Sequence, residues 1–311
     1  MSNIKVFRLN EDSIYDNGFK LGLLCKDKLN YDFYFKIKEK LYQKISEKHN
    51  NIIFNLIKNK IKLWVGLLKS KYKIAIEDIL GFSDALEIEN DLILEVSVIT
   101  EIYDYMCTLL GVKSENNLWN LRILDLDSEF IDIVSKHNLP LSIIIYENIN
   151  FISFNYLGFF KCHTSFFNGT MISTFSWNKL ELKNYLKNEI PPIFQVRYSI
   201  LNSCNIYEYL KNQNIIYDGY VMLMNKDKII LHDFNKIRNE SKITDNNHIV
   251  ISDHSFDIDY NINDFIRNQF INIPTNNRCF SVFYNFLNKE FMLNNFLSIQ
   301  KGQDYFTKFI F

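Results

Sequence analysis

The sequence changes its hydrophobic period once, near residue 107, and this change constrains the fold more than any other feature. Before it, apolar residues recur every three or four positions, most clearly at 51–71, which predicts amphipathic helices. After it, short apolar or alternating runs between turn signals predict strands. Helices followed by interleaved strands and helices are typical of an α+β fold, so we expect one integrated α+β domain with antiparallel sheet in its second half.

Individual elements follow from the same patterns. Asp12 or Ser13 can cap a helix that begins near Ile14, and the helical part is expected to extend to about residue 105. Its later helices are predicted at 51–71, 75–86 and 92–104. Beyond it, strands are predicted at 107–112, 118–124, 141–146, 150–156, 170–175, 220–224, 228–232 and 248–252, and helices at 194–203, 206–212, about 261–269 and 277–298.

Composition excludes several classes of protein. The 311 residues are 47% apolar and 23% charged, which is usual for a globular protein and excludes a disordered or fibrous chain. A formal net charge of -1 provides no long-range field that would attract nucleic acid. No apolar run approaches the length of about 18 residues that a membrane-spanning helix needs, so we expect no integral membrane association.

The cysteines and the first residues bear on the compartment. Five cysteines are scattered without a CxxC pair, which argues against both a disulfide framework and a zinc cluster. The segment 1–18 carries charges throughout and has no apolar core of a secretory signal. We therefore expect free cysteines and a cytoplasmic protein.

Cys107 stands where the helical period gives way to the strand period. A hairpin turn at 114–117 would bring Arg122 and Asp125 back beside it. A nearby cation lowers the pKa of a thiol, and a carboxylate can orient an attacking group. The spacing thus indicates a reactive thiol, although a core cysteine beside a surface ion pair gives the same pattern.

Seven short segments together resemble the motif series of a known family. Tyr15, Gly18 and Gly22 resemble its Y-x-x-G-x-x-x-G opening, and EDILGFSDA at 77–85 resembles an E-x-x-G-x-A-x-G helix. The later segments are Cys-Thr at 107–108, RILD at 122–125, PIFQVRYSIL at 192–201, SDH at 252–254 and Arg278. In this order they resemble the acyl-coenzyme A:isopenicillin N acyltransferase family of N-terminal nucleophile (Ntn) hydrolases, whose relatives include acid ceramidase and N-acylethanolamine acid amidase.

The resemblance implies a fold and a processing step. The fold is an αββα sandwich, in which two antiparallel sheets lie between helical layers. Cleavage of the bond between Met106 and Cys107 would divide the chain into a helical leader, residues 1–106, and a catalytic core, residues 107–311. The two parts would stay packed together as one integrated domain.

It also implies a chemistry without metal or cofactor. Cys107 would form an acyl-enzyme from a small acyl amide or acyl thioester, of which acyl-CoA is one form, as an amidase or N-acyltransferase. Arg122 and Asp125 would order the nucleophile, and the residue at 253 would help stabilise the oxyanion. We expect the remaining substrate contacts at His163, Thr164 and Arg278. Homo-oligomer formation stays open.

Position 253 departs from the family pattern, because Asp253 stands where Asn is usual. An ionised Asp has no proton to donate to an oxyanion. The alternative is therefore a non-catalytic binding or scaffold protein with the Ntn fold.

Two other hypotheses about function stay open, each based on a single motif. His254 with Cys107 could form a thiol protease pair. Asp125-Leu126-Asp127 after a strand could hold a metal ion as in nucleotide-sugar glycosyltransferases.

Overall fold

The structure is a computed structural model. It describes residues 4–101, 106–114, 117–125, 134, 136–137, 139–160, 164–176, 190–202, 205–212, 219–233, 241–243, 248–252, 278–285, 287, 289–295 and 306–310.

Helices dominate the first hundred residues. Their starts follow the sequence signals: Ser13 accepts a hydrogen bond from the Asp16 backbone N–H at 3.0 Å, and Asn50 caps the third helix in the same way. A 3₁₀ turn at Lys73–Ile76 precedes the fourth helix. The helices described are α1 (Ile14–Cys25), α2 (Tyr31–Lys48), α3 (Asn51–Ser70), α4 (Glu77–Leu86), α5 (Asn90–Ile99), α6 (Pro192–Leu201) and α7 (Ile206–Asn212).

The strands form two sheets. The eight-stranded sheet has the order β1-β4-β5-β6-β7-β8-β9-β10, and the six-stranded sheet has the order β11-β2-β3-β12-β13-β14. Only β1 and β4 pair in parallel among the described strands. The bounds are β1 (Ile4–Leu9), β2 (Met106–Ser114), β3 (Asn117–Asp125), β4 (Leu141–Tyr146), β5 (Phe151–Tyr156), β6 (Thr164–Phe167), β7 (Thr170–Ser176), β8 (Gly219–Met224), β9 (Ile229–Asp233), β10 (Ser241–Ile243), β11 (His248–Ser252), β12 (Arg278–Asn285), β13 (Glu290–Asn295) and β14 (Phe306–Ile310).

One face of each sheet packs against the other sheet. The Phe154 ring of β5 lies 5.1 Å from the Phe291 ring of β13, measured between centroids. The Asn120 amide of β3 donates to the Met222 sulfur of β8 at 3.6 Å. Alternate residues of these strands therefore face the space between the sheets, while their neighbours face outward.

The outer face of the eight-stranded sheet is covered by helices. Tyr34 of α2 donates to the Gly158 carbonyl oxygen at 3.1 Å, and the Phe82 ring of α4 packs edge-on against Phe160 at 4.8 Å. The parallel pairing of β1 with β4 adds residues from before position 107 to the same sheet. The sequence on either side of position 107 thus contributes to one hydrophobic core.

The predicted α+β class and largely antiparallel sheets are confirmed by this arrangement. In the described part of the chain, no helix has both the length and the apolar character needed to cross a membrane.

The predicted helix at 277–298 is wrong, because β12 and β13 occupy this segment. Buried Val282 and Tyr284 alternate along one strand, and buried Phe291 and Leu293 along the other. Lys289 takes a left-handed φ of 53° before β13 begins. The period is therefore two, and the apolar residues face the other sheet. No sequence pattern predicts β1, β6, β10 or β14, and the helix predicted near 261–269 lies outside the described residues.

Candidate active site

Four neighbouring strands of the six-stranded sheet have ends at the same edge, where three of the predicted residues lie: Cys107, Asp125 and Arg278. In the β2–β3 register, Cys107 pairs with Leu124 and Met106 with Asp125. Arg278, which begins β12, pairs with Asp125 from the other side. On the far side of β2, Ser252 pairs with Thr108 as the last residue of β11. The predicted pairing of β2 with β3 is therefore confirmed, and β11 ends beside it.

The register also separates the two faces at this end. Asn120 faces the other sheet, so positions 122 and 124 of β3 belong to that face by the two-residue alternation of a strand. Cys107 is paired with Leu124 and shares this face with Arg122. Diagonal positions on paired strands are about 7 Å apart, within reach of a long side chain. Asp125 falls in the next row, opposite Met106, and the register of β12 shifts beside it, between Arg278 and Phe280.

Thr164 is the one other predicted contact that the structure describes. It begins β6, pairs with Ser173 and is fully buried. The Ser173 hydroxyl donates to the Asn120 amide oxygen at 3.3 Å, which places this row between the sheets. Among the described residues, the Thr164 hydroxyl has no hydrogen-bond partner.

Four predicted positions fall outside the part of the chain that the structure describes: His163, Asp253, His254 and Asp127. The roles proposed for them stay predictions.

A second polar cluster is buried between the helices and the eight-stranded sheet. The Arg197 guanidinium of α6 forms an ion pair with the Asp78 carboxylate of α4. Its Nε donates to the Ala75 carbonyl oxygen at 2.7 Å, and the Tyr146 hydroxyl of β4 donates to Asp78 Oδ2 at 2.6 Å. The charges are almost wholly excluded from water, so the ion pair joins α4, α6 and β4 at a single point.

The electrostatics of this cluster keep Tyr146 neutral. Burial raises the pKa of the Tyr146 hydroxyl well above its ordinary value, and the Asp78 carboxylate raises it further, while Arg197 opposes this. A protonated Tyr146 can donate to Asp78 throughout the physiological range. The cluster is thus suited to holding elements together rather than to exchanging protons.

The glycines of the first two motifs have a packing role in this structure. A Cβ added to Gly18 of α1 would lie 1.9 Å from the Asp78 carbonyl oxygen. A Cβ added to Gly81 of α4 would lie 2.0 Å from the Tyr15 carbonyl oxygen. The two helices therefore cross with their backbones in contact, and the spacing of Gly18 and Gly22 puts both on the contact face.

The sequence does not predict the buried cluster. Asp78 and Arg197 both stand inside quoted motifs, but nothing local in the sequence pairs residues 119 positions apart. One available signal is Arg197 itself, because a lone cation in an apolar helix segment needs a buried partner.

No protein-family model matches the chain, and no curated protein matches it. The family resemblance therefore rests on the motifs and stays a prediction.

Proposed function

We propose that the chain is a cysteine amidase or N-acyltransferase of the Ntn type, with Cys107 as its nucleophile. The observation that carries the proposal is the register at one end of the six-stranded sheet. Four adjacent strands bring Cys107, Asp125, Arg278 and the end of β11 together there. Two facing sheets with helices outside one of them also support an Ntn sandwich, whose second helical layer remains part of the proposal.

The first step we propose is self-cleavage. The Cys107 thiol attacks the Met106 carbonyl carbon, so that the peptide C–N bond breaks and a thioester forms. Water then hydrolyses this thioester, which leaves a carboxylate on Met106 and frees the thiol and the α-amine of Cys107. Asp125 pairs with Met106 across the strands, and it is therefore the carboxylate best placed by register to act on the scissile peptide.

The second step uses the new α-amine as general base. Its ordinary pKa of about 8 is close to working pH, as general-base catalysis requires. The amine takes the proton from the Cys107 thiol, and the thiolate attacks the carbonyl carbon of an acyl amide or acyl thioester. The amine or thiol leaves with a proton, and the acyl-enzyme passes its acyl group to water or to an acceptor amine.

Arg122 and Asp253 have the remaining roles in the proposed mechanism. Arg122 shares a face with Cys107 in the strand register, and in the proposed mechanism its positive charge favours the thiolate. Asp253 directly follows the end of β11 in the sequence and would lie near the oxyanion. It serves there only when protonated, or else another donor replaces it. This chemistry needs a free thiol, which a reducing compartment such as the cytoplasm maintains.

The experiment combines intact-mass spectrometry with an activated acyl probe. Purified wild-type protein should appear as two fragments, residues 1–106 and 107–311, and a β-lactone probe should label Cys107. Cys107→Ala should stay a single chain without label. Peptide mapping separates this label from labels on other cysteines.

Cys25 provides a matched control. It is a free and buried thiol, and burial raises its pKa to about 12, so Cys25→Ala should leave cleavage and labelling unchanged. A single species of residues 1–311 that is stable for days, with Cys107 unlabelled at any pH from about 5 to 8, would contradict the enzyme. That result favours the non-catalytic Ntn-fold protein, for which Asp253 in place of Asn is the supporting observation.

A further inference from the structure

A pocket of about 410 Å³ lies where two hairpin turns of the eight-stranded sheet meet the start of α7. Its floor includes Leu223 and Ile230, which pair across β8 and β9. Met222 faces the six-stranded sheet, because its sulfur accepts a hydrogen bond from Asn120 of that sheet. The neighbouring Leu223 therefore faces outward. The pocket therefore opens on the face of the sheet directed away from the sheet that carries Cys107.

The floor and the rim of this pocket differ in character. Four buried apolar side chains form the floor: Phe167, Ile206, Leu223 and Ile230. The rim is polar and partly or fully exposed, and it is supplied by asparagine, threonine, tyrosine and lysine residues. The volume falls within the range of about 300–1,000 Å³ that is usual for small-molecule sites. Such a pocket suits a ligand with an apolar body and a polar head.

The rim presents hydrogen-bond donors. The Asn225 amide oxygen already accepts from the backbone N–H groups of Asp227 and Lys228, at 3.0 and 3.1 Å. The Asn205 amide oxygen accepts from the Glu208 N–H at 3.3 Å. These bonds fix which end of each amide is the oxygen, so the NH₂ groups are the ends left for a ligand. Both asparagines thus act on the pocket as donors.

The charge at the rim is positive. Lys228 lines the pocket, and its Nζ lies 6.0 Å from the centre of the Tyr207 ring. Lys211 approaches the same ring at 6.0 Å. Among the described residues that line the pocket, none carries a carboxylate. A cation with two amide donors attracts a negatively charged acceptor.

We propose that this pocket binds a small organic carboxylate. The carboxylate head contacts Lys228 and the amide NH₂ groups of Asn205 and Asn225, and the apolar body lies on the floor beside Leu223 and Ile230. The site lies across the sheet from Cys107, so it does not depend on the catalytic proposal.

Calorimetric titration with three probes tests the site: hydrocinnamate, its uncharged analogue hydrocinnamyl alcohol, and acetate. Hydrocinnamate should bind more tightly than either of the others, because it alone combines a negative head with an apolar body. The full-length Cys107→Ala protein is used, so that acyl chemistry cannot contribute heat.

Two variants of the β8–β9 turn decide the role of the cation. Lys228→Met should weaken hydrocinnamate binding by about tenfold, as expected for a lost charge-assisted contact, and bring it close to the alcohol. Lys226→Met removes an exposed cation from the same turn, outside the pocket lining, and should leave the preference intact.

Asn225→Asp provides an independent check. An Asp side chain keeps the turn, because its carboxylate accepts the same two N–H groups, but it replaces the donor with a negative charge. Hydrocinnamate binding should fall while the melting temperature stays close to that of the parent protein. Equal affinity for hydrocinnamate and the alcohol, or an unchanged preference in Lys228→Met, overturns the proposal.

Discussion

The helical region before position 107 and the strand ends around it carry motifs of different physical kinds. In the helical region, the motif residues Gly18, Gly81 and Asp78 make close backbone contacts and a buried ion pair. At the strand ends, Cys107 and Asp125 are brought together only by the register of paired strands. Substitutions in the first region should therefore change stability, whereas those in the second should change chemistry.

The largest expected effect is the loss of the buried ion pair. Asp78→Ala leaves Arg197 charged, buried and without its carboxylate partner, which should lower the free energy of unfolding by about 3–5 kcal/mol. Urea denaturation of the Cys107→Ala chain measures this, because that background is a single polypeptide whether or not the wild-type chain is cleaved.

Asp84→Ala is the matched control on the same helix. Asp84 is exposed and accepts a hydrogen bond from Tyr15 at 2.5 Å, so its loss should cost about 1 kcal/mol or less. The double variant with Asp78→Leu and Arg197→Met should recover much of the lost stability, since apolar residues of similar size avoid the buried charge. If Asp78→Ala and Asp84→Ala lowered the free energy of unfolding equally, the buried ion pair would contribute no more to stability than an exposed hydrogen bond.

The same two regions show how far the sequence predicts the structure. Local signals are sufficient for the Ser13 cap, the α7 helix and the β2–β3 hairpin, because each depends on residues close in sequence. The parallel pairing of β1 with β4 joins segments more than a hundred residues apart, and no local pattern specifies it.

The misassigned segment 277–298 has a different cause. Its phenylalanine and leucine residues are dense enough to fit a helical period as well as a strand period. The packing of Val282 and Leu293 between two sheets decides in favour of strands. At the candidate site, the pairing of β2, β3 and β12 shows which residues lie side by side. It does not show which of their side chains take part in chemistry.

The next largest effect is expected at the strand ends. Arg122→Met removes the cation that shares a face with Cys107, so less thiolate should form and labelling of Cys107 by the acyl probe should slow by about 100-fold. Arg8→Met is the control, because Arg8 of β1 forms an exposed ion pair with Glu147. An unchanged labelling rate in Arg122→Met, measured by mass spectrometry over time, would place the activating group elsewhere.

A smaller effect is expected where α1 and α4 cross. Gly18→Ala forces the helices apart, because the new Cβ would overlap the Asp78 backbone, and it should cost about 1–3 kcal/mol of unfolding free energy. Gly66→Ala in α3 is the counterpart, since beyond the neighbouring residues of its own helix no atom of the described residues lies within 4 Å of the added Cβ. It should stabilise the chain by about 0.5–1 kcal/mol through helix propensity. If chemical denaturation showed that both variants change the free energy of unfolding in the same direction, the close crossing of α1 and α4 would be contradicted.

The smallest effect is a pH dependence that belongs to the helical region. Burial raises the pKa of the Cys25 thiol from 9.0 to about 12. Below pH 9 the thiol is neutral in both the folded and the unfolded chain, so it does not make the free energy of unfolding depend on pH. Above it, the unfolded chain releases a proton that the folded chain retains, so stability should fall by about 1.4 kcal/mol per pH unit from this group.

Cys25→Val removes the titrating thiol without opening a large cavity, and urea midpoints measured between pH 8 and 10.5 should then fall less steeply. The buried Tyr34 and Tyr146 hydroxyls, whose pKa values are also raised, should keep part of the alkaline slope in the variant. Cys107→Val provides the comparison, because the role proposed for Cys107 requires a thiol that ionises readily, and such a thiol should not add to this loss. If Cys107→Val flattened the alkaline slope and Cys25→Val did not, the contrast between the two thiols would be reversed.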